Sequence, residues 1–207
     1  MKRSLTIILI LVSLSLNSQS LFNSYERGKI TFSNGKEISG LIKRSGNIVK
    51  FKENEKAKKI KYSYKELKKI KFRFGDEYLY KINAKNKNIL LLKREVKGKL
   101  DLYSYERQSP NHFGPNGMMM RGGISTTVYL IGEGGTNFVE KLPMNPKKNK
   151  FRKIITKYTS DCPMFIELIK DKKSVKENFA EDYSGFFLYQ GSGVINMINY
   201  YNKECNN

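Results

Sequence analysis

Apolar and polar residues alternate along much of the chain, which is typical of β-strands with one buried face. The longest alternating stretch runs from Ile89 to Tyr105, and Lys97-Gly98-Lys99 interrupts it with either a tight turn or a bulge. We predict that this stretch is the centre of an antiparallel sheet, with its even positions buried and the odd positions from 93 to 101 in solvent. The apolar even positions are Leu90, Leu92, Val96, Leu100 and Leu102.

Shorter alternating runs predict further strands on both sides of this stretch. Asn34-Gly35 separates two of these runs and predicts a hairpin with a type I′ turn, in which both central residues have positive φ. Ser63 and Glu66 have the spacing of a capping box and predict one helical turn between two strands. The predicted strands cover residues 28–33, 37–43, 48–52, 58–62, 69–74, 77–82, 126–131 and 137–142.

The segment 106–125 has no periodic pattern and is rich in glycine, proline and methionine, which predicts a long mobile loop. After Pro143 the apolar spacing becomes helical, and Asn145-Pro146 is a helix start. The predicted fold is therefore α+β. An antiparallel β lobe at 21–143, forming a small barrel or a curled sheet built of hairpins, is followed by a small helical lobe at 144–207.

The first residues have the pattern of a signal peptide. Lys2 and Arg3 precede an apolar run from Leu5 to Leu16. Ser18-Gln19-Ser20 offers a cleavage site after Ser20, with cleavage after Ser18 as the alternative. We predict a signal peptide at 1–20 and export to the periplasm, the outer-membrane periphery or the extracellular space. The alternative is an uncleaved membrane anchor. No later apolar run is long enough for a transmembrane helix, so none is expected in the mature chain.

Two cysteines, Cys162 and Cys205, are present in the chain. An exported protein meets an oxidising environment, in which an even number of cysteines indicates disulfides. We predict one Cys162–Cys205 disulfide, with two free thiols as the alternative.

The formal charge of +20 is concentrated in the first half of the chain. Residues 29–99 hold 22 basic and 7 acidic residues, a net +15. Only eight of the 39 basic residues are arginines, the residue best suited to gripping phosphate, and an AT-rich coding sequence also favours lysine. The charge is therefore weak evidence for nucleic acid binding.

Within this basic region, alternation places five cations on the outward face of two predicted strands, where we expect them to point the same way on neighbouring strands. Such a face could bind anionic glycan, lipid head groups or another envelope protein, or it could simply be solvated. In residues 69–74 the apolar residues Ile70, Phe72 and Phe74 are predicted to face inward. The five cations are Lys59, Lys61, Lys69, Lys71 and Arg73.

Residues with catalytic or metal-binding potential are few. His112, the single histidine, lies near Met118–Met120, and this combination would suit copper, but it falls in the aperiodic segment. The residues Gly132–Gly135 lack the lysine and hydroxyl residue of a phosphate loop. Asp161 is interpreted as a helix cap. We therefore predict no metal, cofactor or catalytic residue, and a binding or structural protein of the cell envelope, with an exported enzyme as the alternative.

Several segments together resemble a family of exported proteins of Gram-negative bacteria with AT-rich genomes, whose activity is not known. The resemblance covers most of residues 25–205 and implies export and this order of elements. The segments that carry it are Val96-x-Gly98-x-Leu100-x-Leu102-Tyr103, Tyr129-Leu-Ile-Gly132, Phe151 to Pro163, and Tyr200-Tyr201-Asn202 before Cys205.

Overall fold

The computed structural model describes residues 25–108, 112–113, 119–120, 125–143, 149–170, 175, 178–179 and 189–205. The signal peptide predicted at 1–20, most of the segment 106–125 and the helix start at Asn145-Pro146 lie outside the described residues. The chain divides into two compact units, residues 1–75 and 76–207. The lobe boundary predicted at 143 falls inside the second unit, because its helices share one core with its strands.

The first unit is a curled, five-stranded antiparallel sheet with the order β4-β3-β2-β1-β5. A 3-10 turn at Tyr64–Glu66 connects β4 to β5, and the predicted capping box is confirmed, since the Ser63 amide donates to Glu66 Oε2 at 2.7 Å. The rings of Phe32 and Tyr62 meet edge-to-face at 4.9 Å, so the ends of β1 and β4 approach each other. The strands are β1 (Glu26–Phe32), β2 (Glu37–Ser45), β3 (Ile48–Lys52), β4 (Ile60–Ser63) and β5 (Leu67–Phe72).

The predicted hairpin at Asn34-Gly35 is present, but its turn is not type I′. Gly35 has a φ of 85°, whereas Asn34 is not among the residues with positive φ. The Phe32 amide donates to the Lys36 carbonyl at 2.8 Å, and the Gly35 amide donates back to the Phe32 carbonyl at 3.0 Å. The loop therefore has three residues and needs the left-handed conformation only at its glycine.

The end of β5 differs from the predicted inward alternation. Ile70 and Phe72 are buried, whereas the side chain of Phe74 is 93% exposed. The strand ends at Phe72, and the Gly75 amide donates to the Phe72 carbonyl at 3.0 Å in a tight turn. Phe74 therefore lies on the turn rather than in the sheet.

The second unit contains a closed barrel of five strands with the order β6-β7-β8-β11-β12. Neighbouring strands are antiparallel, except that β12 pairs in parallel with β6, with Phe138 opposite Ile82. A separate two-stranded ladder pairs His112–Phe113 (β9) with Met119–Met120 (β10). The barrel strands are β6 (Glu77–Asn83), β7 (Ile89–Val96), β8 (Leu100–Gln108), β11 (Ser125–Glu133) and β12 (Phe138–Lys141).

The central stretch is two strands joined by a turn, and the expected exposure of Asp101 in β8 is wrong, because this residue is only 2% exposed. Tyr103 packs inside the barrel, whereas Leu102 packs on the outer wall under the helices. Both faces of β8 are therefore buried from Leu100 to Ser104. A bulge between Arg94 and Val96 also moves Val96 from the interior side of β7 to the outer wall.

In the described part of the chain, three continuous helices of eight or more residues follow the barrel, and residues from all three join the core on its outer wall. Cys162, just before the second helix, and Cys205, just after the third, form the predicted disulfide, with a Cα–Cα distance of 5.8 Å. Among the described residues, no helix is long and apolar enough to cross a membrane. The helices are α1 (Asn149–Tyr158), α2 (Pro163–Lys170) and α3 (Tyr189–Glu204).

Candidate functional site

The outward face of the first unit carries three lysines in one line across its strands. Lys43 of β2 lies opposite Lys50 of β3, and Lys50 lies opposite Lys61 of β4. Ile42 and Val49, which precede Lys43 and Lys50 in their strands, are buried, so the lysines point away from the core. We call Lys43, Lys50 and Lys61 the lysine row.

A second group of cations lies on β1 and β5. Lys29 lies opposite Lys71, and the Arg73 amide donates to the Arg27 carbonyl at 3.1 Å, which extends the pairing by one turn residue. Lys29 is neutralised by Glu37, whose carboxylate lies 2.8 Å from Lys29 Nζ. We call Arg27, Lys29, Lys71 and Arg73 the β1–β5 block.

The electrostatic difference between the two groups lies in their acidic partners. The hydrogen bond from Lys29, followed by that from Thr31, lowers the pKa of Glu37, so this carboxylate stays ionised beside the β1–β5 block. In the described part of the chain, no carboxylate forms an ion pair with a member of the lysine row. The lysine row is therefore the less neutralised part of the face.

Three of the five cations predicted from the sequence belong to these groups, and two belong to neither. The expectation of neighbouring strands is wrong, because β3, β2 and β1 separate β4 from β5 in the sheet order. Lys61 belongs to the lysine row, and Lys71 and Arg73 belong to the β1–β5 block. Lys69 lies opposite Thr31, and Lys59 is exposed just before β4 begins.

Sequence reasoning missed the members of both groups on the first three strands. Lys43 and Lys50 alternate with buried residues, so their outward direction could have been inferred from β2 and β3 themselves. The two-residue loop between Ser45 and Ile48 fixes the pairing of Lys43 with Lys50, whereas the alignment of Lys50 with Lys61 depends on the pairing of β3 with β4.

Next to Arg27, an open cleft of about 750 Å³ lies over β1 and β2. The loop after β3 forms its other side, and its charged lining mixes the carboxylates of Glu53 and Glu55 with the cations Arg27 and Lys56. Since the two signs are balanced, this cleft adds no net attraction for an anion.

The second unit has a cleft of about 500 Å³ where the β7–β8 turn meets the last helix. Lys99 Nζ lies 2.5 Å from Asp161 Oδ2 and donates to the Cys205 carbonyl at 3.0 Å. The Tyr201 hydroxyl donates to Asp161 Oδ1 at 2.8 Å. Asp161 therefore links the β7–β8 turn to α3, instead of acting as the helix cap that we predicted.

Asp161 and Tyr201 of this cleft are poorly suited to proton transfer. The hydrogen bond from Lys99 lowers the pKa of Asp161, and burial, together with the hydrogen bond to Asp161, raises the pKa of Tyr201. An efficient general acid or base has a pKa near the working pH. Both shifts move away from neutrality, so the geometry favours a fixed structural link over acid–base catalysis.

A buried polar cluster also lies inside the barrel. Lys81 is only 4% exposed and donates to the Thr136 carbonyl, and its Nζ lies 5.1 Å from the centre of the Tyr103 ring. The Tyr103 hydroxyl donates to Asp101 Oδ2 at 2.8 Å. Burial lowers the pKa of Lys81 and raises that of Tyr103. These groups satisfy one another in the core, which is a structural role.

Comparison with family models, curated proteins and solved structures gives no match for this chain. The functional argument therefore rests on the residues and geometry described above. The lysine row is the candidate site, because no described carboxylate forms an ion pair with any of its members, whereas Lys29 of the β1–β5 block is paired with Glu37.

Proposed function

We propose that the protein is an exported, non-catalytic binding component of the cell envelope, and that the outward face of the first unit binds an anionic envelope surface. The lysine row is the observation that carries this proposal. Like charges placed directly opposite each other weaken a sheet. An anionic ligand lying across β2, β3 and β4 would neutralise the three lysines and relieve their repulsion, which would favour binding.

The chemistry of the row defines the class of ligand. Paired Cβ atoms on neighbouring strands lie about 5 Å apart, so the three ammonium groups suit a polymer or surface with closely repeated phosphate or carboxylate groups. The lysine ammonium group is a point charge and lacks the paired, planar hydrogen-bond donors of arginine, so it contributes little specificity. Lipid head groups and anionic glycans fit this description, and nucleic acid is the less favoured polyanion.

Two observations support export. The residues before Ser20 have the pattern of a signal peptide. The Cys162–Cys205 disulfide is of the kind that forms and persists in oxidising compartments. An exported enzyme is less well supported, because the acid and base groups in the cleft of the second unit shift away from neutral pKa values.

The proposal is tested by measuring binding to heparin, lipopolysaccharide and DNA at low and high salt. The test variant reverses the lysine row with Lys43→Glu, Lys50→Glu and Lys61→Glu. The control variant carries Lys85→Glu, Lys141→Glu and Lys153→Glu, which change the net charge equally at exposed positions of the second unit.

We expect the wild type and the control to bind with affinities that fall steeply as salt rises, since ion release drives such binding. The lysine-row variant should lose most of this affinity while keeping its melting temperature. Equal weakening of both variants would mean that only the total charge matters, and the proposed site would be wrong.

A further inference from the structure

Among the described residues of the first unit, the most exposed aromatic residue lies beside cations. Phe74 is 93% exposed on the turn after β5, whereas Phe51 and Phe72 of the same unit are buried in its core. Single exposed apolar residues are common on protein surfaces. The position of Phe74, at the tip of a turn and directly after Arg73, is what gives it significance.

Strand pairing brings three arginines and a second exposed apolar residue to this end of the sheet. The Arg73 amide donates to the Arg27 carbonyl, and Arg44 forms an ion pair with Glu26 at 3.6 Å. Ile48, 42% exposed, begins β3 immediately after the turn that follows β2. Three of the eight arginines in the chain therefore lie at this end of the sheet.

An exposed aromatic side chain next to basic residues suits the boundary between a bilayer and water. Aromatic rings and exposed apolar side chains bury their surface at the level of the head groups, while nearby basic residues are attracted to anionic lipid. Guanidinium groups bind phosphate through paired hydrogen bonds. A soluble glycan would use the cations but would not require Phe74 to be exposed.

We propose that this end of the first unit docks on an anionic phospholipid bilayer, with Phe74 inserted among the head groups and Arg27 and Arg73 bound to lipid phosphates. This inference rests on the proposed function, because it names the surface that the basic face contacts. The cations of the β1–β5 block and the lysine row then supply the long-range attraction, and Phe74 supplies the insertion.

The chain contains no tryptophan, so a single introduced tryptophan reports on its own position. The test protein carries Phe74→Trp. The control carries Phe138→Trp, at a 52% exposed position in the second unit. Fluorescence is recorded with phosphatidylcholine vesicles, with vesicles that also contain phosphatidylglycerol, and with heparin.

We expect the emission of the Phe74→Trp protein to shift to shorter wavelength only with the phosphatidylglycerol vesicles, and the emission of the control to stay unchanged. In sedimentation, Phe74→Asn should weaken vesicle binding about tenfold, as the loss of part of a phenylalanine's burial would. Its affinity for heparin should equal that of the wild type.

The insertion is overturned if the Phe74→Trp emission stays constant while the vesicles bind the protein, or if heparin causes the same shift. In either case the proposed anion-binding function stands, provided that reversal of the lysine row abolishes heparin binding. If the lysine-row variant binds heparin like the wild type, it is the proposed function that fails.

Discussion

At the scale of single residues, the barrel interior depends on a hydroxyl that supports a buried carboxylate. Asp101 is 2% exposed, and its two oxygens accept from the Tyr103 hydroxyl at 2.8 Å and from the Gly98 amide at 3.0 Å. A buried carboxylate is tolerated only when such donors replace water. Tyr103 therefore contributes a polar group as well as apolar bulk to the core.

We expect Tyr103→Phe to lower the free energy of unfolding by about 1–3 kcal/mol, since one oxygen of Asp101 would lose its donor without gaining water. The measurement is the urea midpoint at constant m-value. Tyr105→Phe is the matched control, because Tyr105 packs against the same interior cluster and is only partly buried. Similar losses in the two variants would show that the hydroxyl of Tyr103 has no special role.

The second prediction for a single residue concerns Asp161 and the dependence of stability on pH. Its pKa lies below the ordinary value of 3.8 because Lys99 and Tyr201 donate to its carboxylate. A carboxyl group whose pKa is lower in the folded than in the unfolded state stabilises the fold when it is ionised. This stabilisation is fully present above the unfolded-state pKa and is lost as pH falls through the folded-state pKa. We expect Asp161→Asn to be less stable than the wild type at neutral pH, with the difference closing below about pH 4. Melting curves at several pH values would reveal a constant difference if the ionised form were unimportant.

At the scale of secondary structure, the last helix is tied to the first residue of β8 by one side chain. Asn202 Nδ2 donates to the Leu100 carbonyl at 2.9 Å, and the Leu100 amide donates to Asn202 Oδ1 at 2.9 Å. The side-chain amide of Asn202 thus makes the two hydrogen bonds with the Leu100 backbone that a neighbouring strand would otherwise make. A Cβ on Gly98 would lie 2.4 Å from Asn202 Cγ, so this close approach requires glycine in the β7–β8 turn.

Asn202→Ala should cost about 2 kcal/mol, because it leaves a backbone amide and a carbonyl of the buried Leu100 without partners. Hydrogen exchange should speed up at the Leu100 amide before it does elsewhere in β8. Asn199→Ala, at an exposed position of the same helix, is the control. Unchanged exchange at Leu100 would mean that water or another group replaces the asparagine.

Local patterns predicted the strands better than they predicted which faces are buried. Alternation identified the strands of the curled sheet and of the barrel, because a half-buried strand must repeat every two residues, but it missed the short β9–β10 ladder in the aperiodic segment. It failed at β8, where Asp101 and Tyr103 are buried by closure of the barrel and Leu102 by the helices. The pattern within one strand carries no information about the helices that cover it, because they lie much later in the sequence.

At the scale of the whole chain, the candidate site depended on strand order. β4 and β5 are consecutive strands in the sequence, but their cations belong to different groups in the fold. The reason is that β4 pairs with β3, whereas β5 pairs with β1. The outward direction of Lys61 and Lys71 followed from alternation. Their partners, Lys50 and Lys29, follow only from long-range pairing that the short turns alone do not determine.

The prediction for the whole chain concerns the contribution of the disulfide to stability. Cys162 and Cys205 are 43 residues apart, and by the chain-entropy model a crosslink of that span stabilises the native state by roughly 4 kcal/mol. The double variant Cys162→Ser/Cys205→Ser should lose about that much stability in urea unfolding. The wild type treated with a thiol reductant should lose a similar amount. No loss in either sample would show that the bond is not formed in solution, or that strain in the native state offsets its effect.

The same disulfide joins the start of α2 to the end of α3, and most of the C-terminal third of the chain lies between its two sulfurs. A protease that cleaves one peptide bond anywhere between them leaves two fragments that migrate as a single band on a denaturing gel. The fragments separate only when a thiol is added to the sample. A cut before Cys162 releases its fragments with or without the thiol, so paired gels assign each cleavage to one side of that residue.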